Sequence, residues 1–266
     1  MKRKLLAAAI IFAAVCALAA VCAALRPAPA VSAEPTAVPS PTPSAIQTPA
    51  PSPTPKQKIV VIDPGHQARA DAGQEPIGPG ASQTKQKVTG GTQGAATGTP
   101  EYELNLAVGL MLRDELESRG YKVIMTRTEN DVDISNSQRA QTANDAGADI
   151  FVRIHANGSD DPSARGALTM CMTAQNPYNA ELYAESRLLS EDILGALCAS
   201  SGANSLGVAE TDTMSGINWS DVPVTIVEMG FMTNPSEDTL METEDYRNKI
   251  AIGIADGIDK YFEDMK

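Results

Sequence analysis

The sequence has few aromatic residues and little positive charge. Phe, Trp and Tyr make up 4% of its 266 residues, and 33 acidic residues outnumber 21 basic ones, giving a net charge of −12. A nucleic-acid-binding surface needs clustered Lys and Arg with interleaved aromatic residues. The sequence contains no such patch, so its composition argues against a nucleic-acid partner.

The N-terminal residues have the pattern of an export signal. A basic cap at residues 1–4 precedes an apolar run at residues 5–25. Residues 31–33 are Val-Ser-Ala, which fits the small-x-small pattern before a cleavage site. As a helix the apolar run would also be about 30 Å long, enough to span the hydrocarbon core of a bilayer. We therefore predict that residues 1–33 are either a cleaved signal peptide or an uncleaved membrane anchor.

Residues 34–56 consist mainly of Pro, Ser, Thr and Ala. Such a segment cannot bury a core and favours extended polyproline II conformations, so we predict a linker. The folded domain is then expected at residues 57–266. It contains Cys171 and Cys198, which are too few for a disulfide framework. They could form one disulfide in an oxidising compartment, but we favour an interpretation as small buried residues.

Strand and helix patterns alternate through residues 57–266. Short β-branched runs predict strands, and apolar residues at helical spacing predict helices. The runs KIVVI and VTIV are apolar without interruption, as in strands covered on both faces. The pattern predicts an α/β fold: a single domain with a mostly parallel or mixed twisted sheet and helices on both faces. Strands are expected at residues 58–63, 121–126, 149–155, 167–172 and 222–228, and helices at residues 101–119, 135–146 and 179–199 and near the C-terminus.

Residues 67–100 fit neither pattern. They are rich in Gly, Gln, Thr and Ala and have almost no apolar periodicity. We predict a long irregular loop, and a loop of this length in a compact domain is usually functional or disordered.

The two histidines of the chain lie at predicted strand ends. His66 follows the first strand, and His155 ends the third. Glu228 ends the fifth strand. In open α/β sheets, ligands bind at the carboxyl ends of the strands. Two imidazoles and a carboxylate with an open fourth position are typical of a catalytic zinc site.

The residue pattern does not identify the third ligand. Four glutamates are candidates for ligand or proton shuttle: Glu75, Glu101, Glu103 and Glu228. Each could instead have a structural role, because acidic residues also favour helix N-termini and strand-end ion pairs. A metallohydrolase and a purely structural set of residues both remain open on spacing alone.

Five segments occur in an order that resembles a known family. They are IVVIDPGHQ, PEYELNLAV, MTRT, FVRIHANGS and PVTIVEMGFMTNPSED, between residues 58 and 240. They resemble the catalytic domain of zinc-dependent N-acetylmuramoyl-L-alanine amidases of the sporulation and autolysin type. The resemblance implies Zn²⁺ as cofactor, peptidoglycan as partner, and cleavage of the amide between N-acetylmuramic acid and L-alanine.

The resemblance also implies a role for individual residues. His66 in the D-P-G-H segment, Glu101 at the start of the E-x-x-x-N helix and His155 in I-H-A-N correspond to metal ligands. Glu228 in V-E-x-G-F corresponds to the catalytic glutamate. The chain departs from the family at Arg153, where Ser usually precedes I-H, and in the length of segment 67–100.

Two other functions stay open at this stage. One is a zinc peptidase that acts on the stem peptide of peptidoglycan, and the other is a wall-binding domain without turnover. With an export signal, the expected location is extracellular, in the cell wall. An uncleaved anchor would instead hold the domain at the outer face of the cytoplasmic membrane. The sequence gives no oligomeric state.

Overall fold

The computed structural model describes residues 57–266. The predicted signal or anchor at residues 1–33 and the predicted linker at residues 34–56 lie outside the described residues. Within residues 57–266, no helix is both long enough and apolar enough to cross a membrane.

Strands and helices alternate along the described chain, as the sequence pattern predicts. The strands are β1 (Ile59–Pro64), β2 (Asp71–Pro76), β3 (Thr84–Val88), β4 (Lys122–Met125), β5 (Ile150–Asn157), β6 (Ala167–Cys171), β7 (Ser205–Glu210) and β8 (Val224–Phe231). The helices are α1 (Glu101–Ser118), α2 (Asn136–Asp145), α3 (Tyr183–Ser201), α4 (Ser215–Asn218), α5 (Pro235–Met241) and α6 (Glu244–Asp264). A short 3₁₀ turn, Ala180–Leu182, leads into α3.

Six of the strands form one mixed sheet in the order β4-β1-β5-β8-β6-β7. Strands β4, β1, β5 and β8 run parallel to one another. Strands β6 and β7 are parallel to each other, and β6 pairs with β8 in the antiparallel direction. Because β1, β5 and β8 are adjacent and parallel, their carboxyl ends meet at one edge of the sheet.

Helices cover both faces of the sheet, which confirms the predicted fold class. Strand β1 illustrates the arrangement: Val60 and Ile62 pack with α1, α3 and α6, whereas Ile59 and Val61 pack with α2 and α4. The run KIVVI is apolar without interruption because its successive side chains point to opposite faces of the sheet, and each face is covered by an apolar core. In α6, Ile250, Ile254 and Ile258 follow one another at steps of four and are fully buried, and Phe262 packs at the margin of that core.

The segment 67–100 is more ordered than the sequence predicts. It contains an antiparallel hairpin of β2 and β3, in which Gln74 pairs with Gln86 and Glu75 with Lys85. The prediction of an irregular loop was wrong for these two strands. Most of their side chains are polar and at least partly exposed, so they lack the apolar pattern from which a strand is predicted. Strand β7 and the short helices α4 and α5 were also not predicted.

Cys171 and Cys198 are free thiols in this domain. Cys171 is buried and Cys198 is partly buried. The alternative of a disulfide between them does not apply to this structure.

Candidate metal centre and cleft

Three predicted site residues converge at the carboxyl edge of the parallel strands. His66 lies just after β1, Glu101 is the first residue of α1, and His155 lies near the end of β5. One ligand atom from each lies within 4.8 Å of the other two. Residues from three separate segments of the chain thus meet because the sheet topology brings β1 and β5 side by side.

Glu101 Oε1 lies between the two imidazoles. It is 3.1 Å from His66 Nε2 and 3.2 Å from His155 Nδ1. Asn105 Nδ2 and the backbone N–H of Ala156 donate to the same oxygen, and the N–H of Thr92 donates to Oε2. Hydrogen bonds donated by these three N–H groups favour the charged form of the carboxyl. Glu101 is therefore an ionised carboxylate fixed in one orientation.

The donor set fits a metal cation. His66 Nδ1 lies 2.9 Å from the carbonyl oxygen of Thr89. A carbonyl can only accept, so Nδ1 carries the proton and the lone pair of Nε2 faces Glu101 Oε1. His66 Nε2 and Glu101 Oε1 are then both acceptors, and at 3.1 Å they need a cation or a proton between them. His155 Nε2 is buried without a hydrogen-bond partner, and burial lowers the pKa of His155 to about 4, which keeps its imidazole neutral. Neutral imidazoles with a carboxylate suit zinc.

The backbone at His66 is held in an unusual conformation. His66 has φ of +60°, a left-handed region that non-glycine residues rarely adopt. Arg139 donates to the carbonyl of His66, and Arg127 donates to that of Gly65. A Cβ at Gly65 would overlap the His155 ring. The strained turn therefore aims His66 at Glu101 and lets the two histidine rings approach edge to face at 4.8 Å.

The four candidate glutamates have different surroundings. Glu101 lies with the histidines, whereas Glu103 is exposed on α1. Glu75 accepts a hydrogen bond from Ser137 Oγ. Glu228 pairs in register with His155 across β5 and β8. It lines a cleft together with His66 and His155. The structure thus separates the carboxylates that spacing alone could not distinguish.

Glu228 carries a buried carboxyl with a raised pKa. Its Oε2 is buried without a hydrogen-bond partner. Burial and the charge of Glu101 raise the pKa of Glu228 to about 8, against the opposing charge of Arg153. A cation held by His66, Glu101 and His155, the triad, would lower the pKa of Glu228. The carboxyl is therefore able to gain or lose a proton near neutral pH, as general acid–base catalysis requires.

An ion-pair network below the site was not predicted. Asp63, at the end of β1, is fully buried between Arg139 Nη1 at 2.7 Å and Arg153 Nε at 2.8 Å. Arg153 Nη2 also donates to Asn136 Oδ1. The signal in the sequence was the aspartate itself, because a charge directly after a buried strand needs a partner. Arg153, at which the chain departs from the family pattern, also lines the cavity beside His66 and His155.

The cleft in front of the triad has a volume of about 210 Å³. Strand β3 and the start of α4 form its outer walls, and the lining residues include Lys85, Gln86, Met214 and Gly216. Trp219, the residue directly after α4, donates its indole N–H to the carbonyl of Pro76. Asn218 likewise donates to the carbonyl of Ile77. These bonds fix the hairpin over the cleft.

Comparison with known proteins agrees with this geometry. The family model described as N-acetylmuramoyl-L-alanine amidase matches residues 60–260. The chain belongs to the N-acetylmuramoyl-L-alanine amidase family. The match includes both histidines and all of the sheet except Ile59, so the resemblance seen in the sequence motifs is confirmed.

Individual relatives of this amidase cover most of the described domain. YqiI of Bacillus subtilis (strain 168) is 34% identical over 176 residues, covering 65% of this chain and 81% of YqiI. The amidase LytC of the same organism is 33% identical over 165 residues, covering 62% of this chain but only 32% of LytC. The crystal structure of the amidase Ami1 from Mycobacterium smegmatis has a TM-score of 0.71 at 28% identity, covering 78% of this chain and 97% of Ami1.

Proposed function

We propose that this amidase is a zinc enzyme that hydrolyses the amide between N-acetylmuramic acid and L-alanine in peptidoglycan. Membership of the family supports activity on peptidoglycan. The observation that carries the finer proposal is the His66–Glu101–His155 cluster with Glu228 beside it. In this proposal His66, Glu101 and His155 bind the metal and Glu228 is the catalytic residue.

The residues divide the chemistry between them. Zinc, when bound, supplies Lewis-acid polarisation of the scissile carbonyl and makes a water molecule more acidic. Glu228 takes the proton of the attacking water on its buried carboxylate and delivers it to the nitrogen of the leaving L-alanine. Glu101 and the neutral imidazole of His155 keep fixed positions through the reaction, because backbone and side-chain donors hold Glu101. No serine or cysteine nucleophile is required.

We further propose that the protein acts outside the cytoplasm. The support is the basic cap and apolar run at residues 1–33 and the Pro-rich segment at residues 34–56. Peptidoglycan lies on that side of the membrane. A linker at residues 34–56 would let the domain reach the wall whether the N-terminal segment is cleaved or stays as an anchor.

The experiment that tests the proposed bond is digestion of purified peptidoglycan with the zinc-loaded protein, followed by chemical labelling of new amino termini. We expect new N-terminal L-alanine, and its loss after chelation with return on adding zinc. New termini elsewhere in the stem peptide would identify a peptidase instead. Binding to the wall without any new terminus would indicate a binding domain.

A further inference from the structure

Two cations face the cleft of a strongly acidic chain. The chain has a net charge of −12, yet Lys85 from β3 and Arg153 from β5 both line the cavity next to His66, His155 and Glu228. Neither is required to hold the metal or move the proton in the proposed mechanism. Their position therefore calls for a separate explanation.

Lys85 is partly buried and lacks a carboxylate partner. Its Nζ lies 3.3 Å from the carbonyl oxygen of Thr213 and 3.2 Å from Met214 Sδ. Among residues 57–266, no Asp or Glu oxygen lies within 4.0 Å of it, whereas Lys87 on the same strand pairs with Asp71. Burial and the charge of Arg153 lower the pKa of Lys85. An ammonium in this position gains most from an anion that enters the cleft.

Arg153 has one part of its guanidinium free for a ligand. Nε and Nη2 are used by Asp63 and Asn136. Nη1 has no hydrogen bond to another described residue, and it lies against Gly216, where a Cβ would overlap it. The glycine thus leaves space for the guanidinium on the α4 side of the cleft, where Met214 also contacts Lys85.

The chemistry of the substrate determines which part of it carries an anion. In the proposed substrate the carboxyl of muramic acid is consumed in the amide bond, so the sugar side is uncharged close to the reacting atoms. The peptide side can carry free carboxylates. A residue spans only about 3.5 Å of extended chain, so the residue after alanine reaches the cleft wall.

We propose that Lys85 and Arg153 form a carboxylate-binding subsite that selects stem peptides with a free carboxylate on the residue that follows L-alanine. This inference rests on the proposed function. It places the peptide along β3 and the start of α4, and it makes Lys85 a specificity residue. A carboxamide at that position would leave the ammonium without a counter-charge.

The test compares two small substrates with the zinc-loaded protein. Both are N-acetylmuramoyl-L-alanyl-D-glutamate with the γ-carboxyl capped as a methylamide; one has its α-carboxylate free, and the other is the matching α-carboxamide. We expect kcat/KM to be roughly ten-fold or more higher for the acid, the range of one hydrogen bond to a charged group. Lys85→Gln should reduce this ratio to near one, mainly through KM for the acid. Lys85→Arg should restore most of the preference.

Lys87→Gln is the matched control, because it removes one positive charge from the same strand outside the cleft. It should keep the wild-type ratio. A second measurement is calorimetric binding of both compounds to zinc-loaded Glu228→Gln protein, with and without Lys85→Gln. This separates binding from turnover and should give the same order of preference.

The outcomes distinguish the subsite from the function. If the protein cleaves acid and carboxamide equally well, the subsite is wrong and the proposed amidase function stands. If Lys85→Gln slows both substrates alike, Lys85 only holds the hairpin to α4, and the subsite is again wrong. If neither substrate nor intact peptidoglycan yields N-terminal alanine, the proposed function itself fails and the subsite fails with it.

Discussion

At the scale of single residues, the site depends on where each carboxylate finds a partner. Glu101 is surrounded by donors and stays ionised, whereas Glu228 is buried with one oxygen unpartnered and its pKa is raised to about 8. Two neighbouring glutamates thus have different proton affinities because of their surroundings. Such a difference is what separates a fixed ligand from a proton carrier.

This difference predicts that Glu228→Gln keeps zinc but loses turnover. The amide has nearly the same shape, so the neighbouring triad should stay intact, but it cannot accept the proton of water. We expect kcat to fall roughly 10²- to 10⁴-fold, the usual contribution of general acid–base catalysis. The measurements are the appearance of new N-terminal alanine in digested peptidoglycan and zinc content by elemental analysis.

The control is Glu103→Gln, which changes an exposed carboxylate two residues from Glu101. It should retain both activity and zinc. Full activity of Glu228→Gln would show that another group carries the proton.

The sequence located most of these residues but not their supports. His66 and His155 stood out as the two histidines of the chain at strand ends, and the family resemblance pointed to Glu101. The ion pairs of Asp63 with Arg139 and Arg153 join residues 76 and 90 positions apart. No local pattern marks such a pairing, because it depends on how α2 and β5 pack around the end of β1.

At the scale of elements, α2 delivers two side chains to the base of the site. Asn136 accepts from Arg153, and Arg139 donates to Asp63 and to the carbonyl of His66. The helix starts with a capping box, in which Ser135 Oγ accepts from the N–H of Gln138 and the Gln138 side chain accepts from the N–H of Ser135. Ser135 is therefore the N-cap of α2.

We predict that Ser135→Ala lowers the free energy of unfolding by about 1 kcal/mol, the usual cost of losing an N-cap. The loss arises because the first turn of α2 is left with an unpaired N–H. Urea denaturation measures the effect. Ser135→Thr keeps the hydroxyl and should be closer to wild type, so equal stability of the alanine and threonine variants would contradict a capping role.

The hairpin of β2 and β3 shows where element prediction stops. Its strands carry few apolar side chains, so they lack the alternation by which a half-buried strand is recognised. What fixes the hairpin is distant in sequence: Asn218 and Trp219 donate to the carbonyls of Ile77 and Pro76. By contrast, β1, β5, β8 and α6 were predictable from the sequence. Their buried positions carry apolar residues, as continuous runs in the strands and at helical spacing in α6.

At the scale of the whole molecule, acid stability depends on buried carboxylates that stay charged. Burial alone would raise the pKa of Asp63, but Arg139, Arg153 and the Thr126 hydroxyl hold this pKa well below its usual range. An aspartate in the unfolded chain has a pKa of about 3.9. The unfolded state therefore binds a proton at a pH where folded Asp63 does not. The resulting stabilisation is fully present above about pH 4 and is lost as the pH falls further.

Asp63→Asn tests this link between one ion-pair network and the whole fold. At pH 7 the variant leaves two buried arginines without their counter-charge, so we expect a loss of about 3–5 kcal/mol. Because the wild type loses the same stabilisation on acidification, the difference between the two proteins should shrink steadily below pH 4. Urea midpoints of metal-free protein at pH 7, 5 and 3.5 measure it, with exposed Asp160→Asn as a control that stays close to wild type throughout. A difference that stays constant across this pH range would mean that Asp63 stabilises the fold by shape rather than by charge.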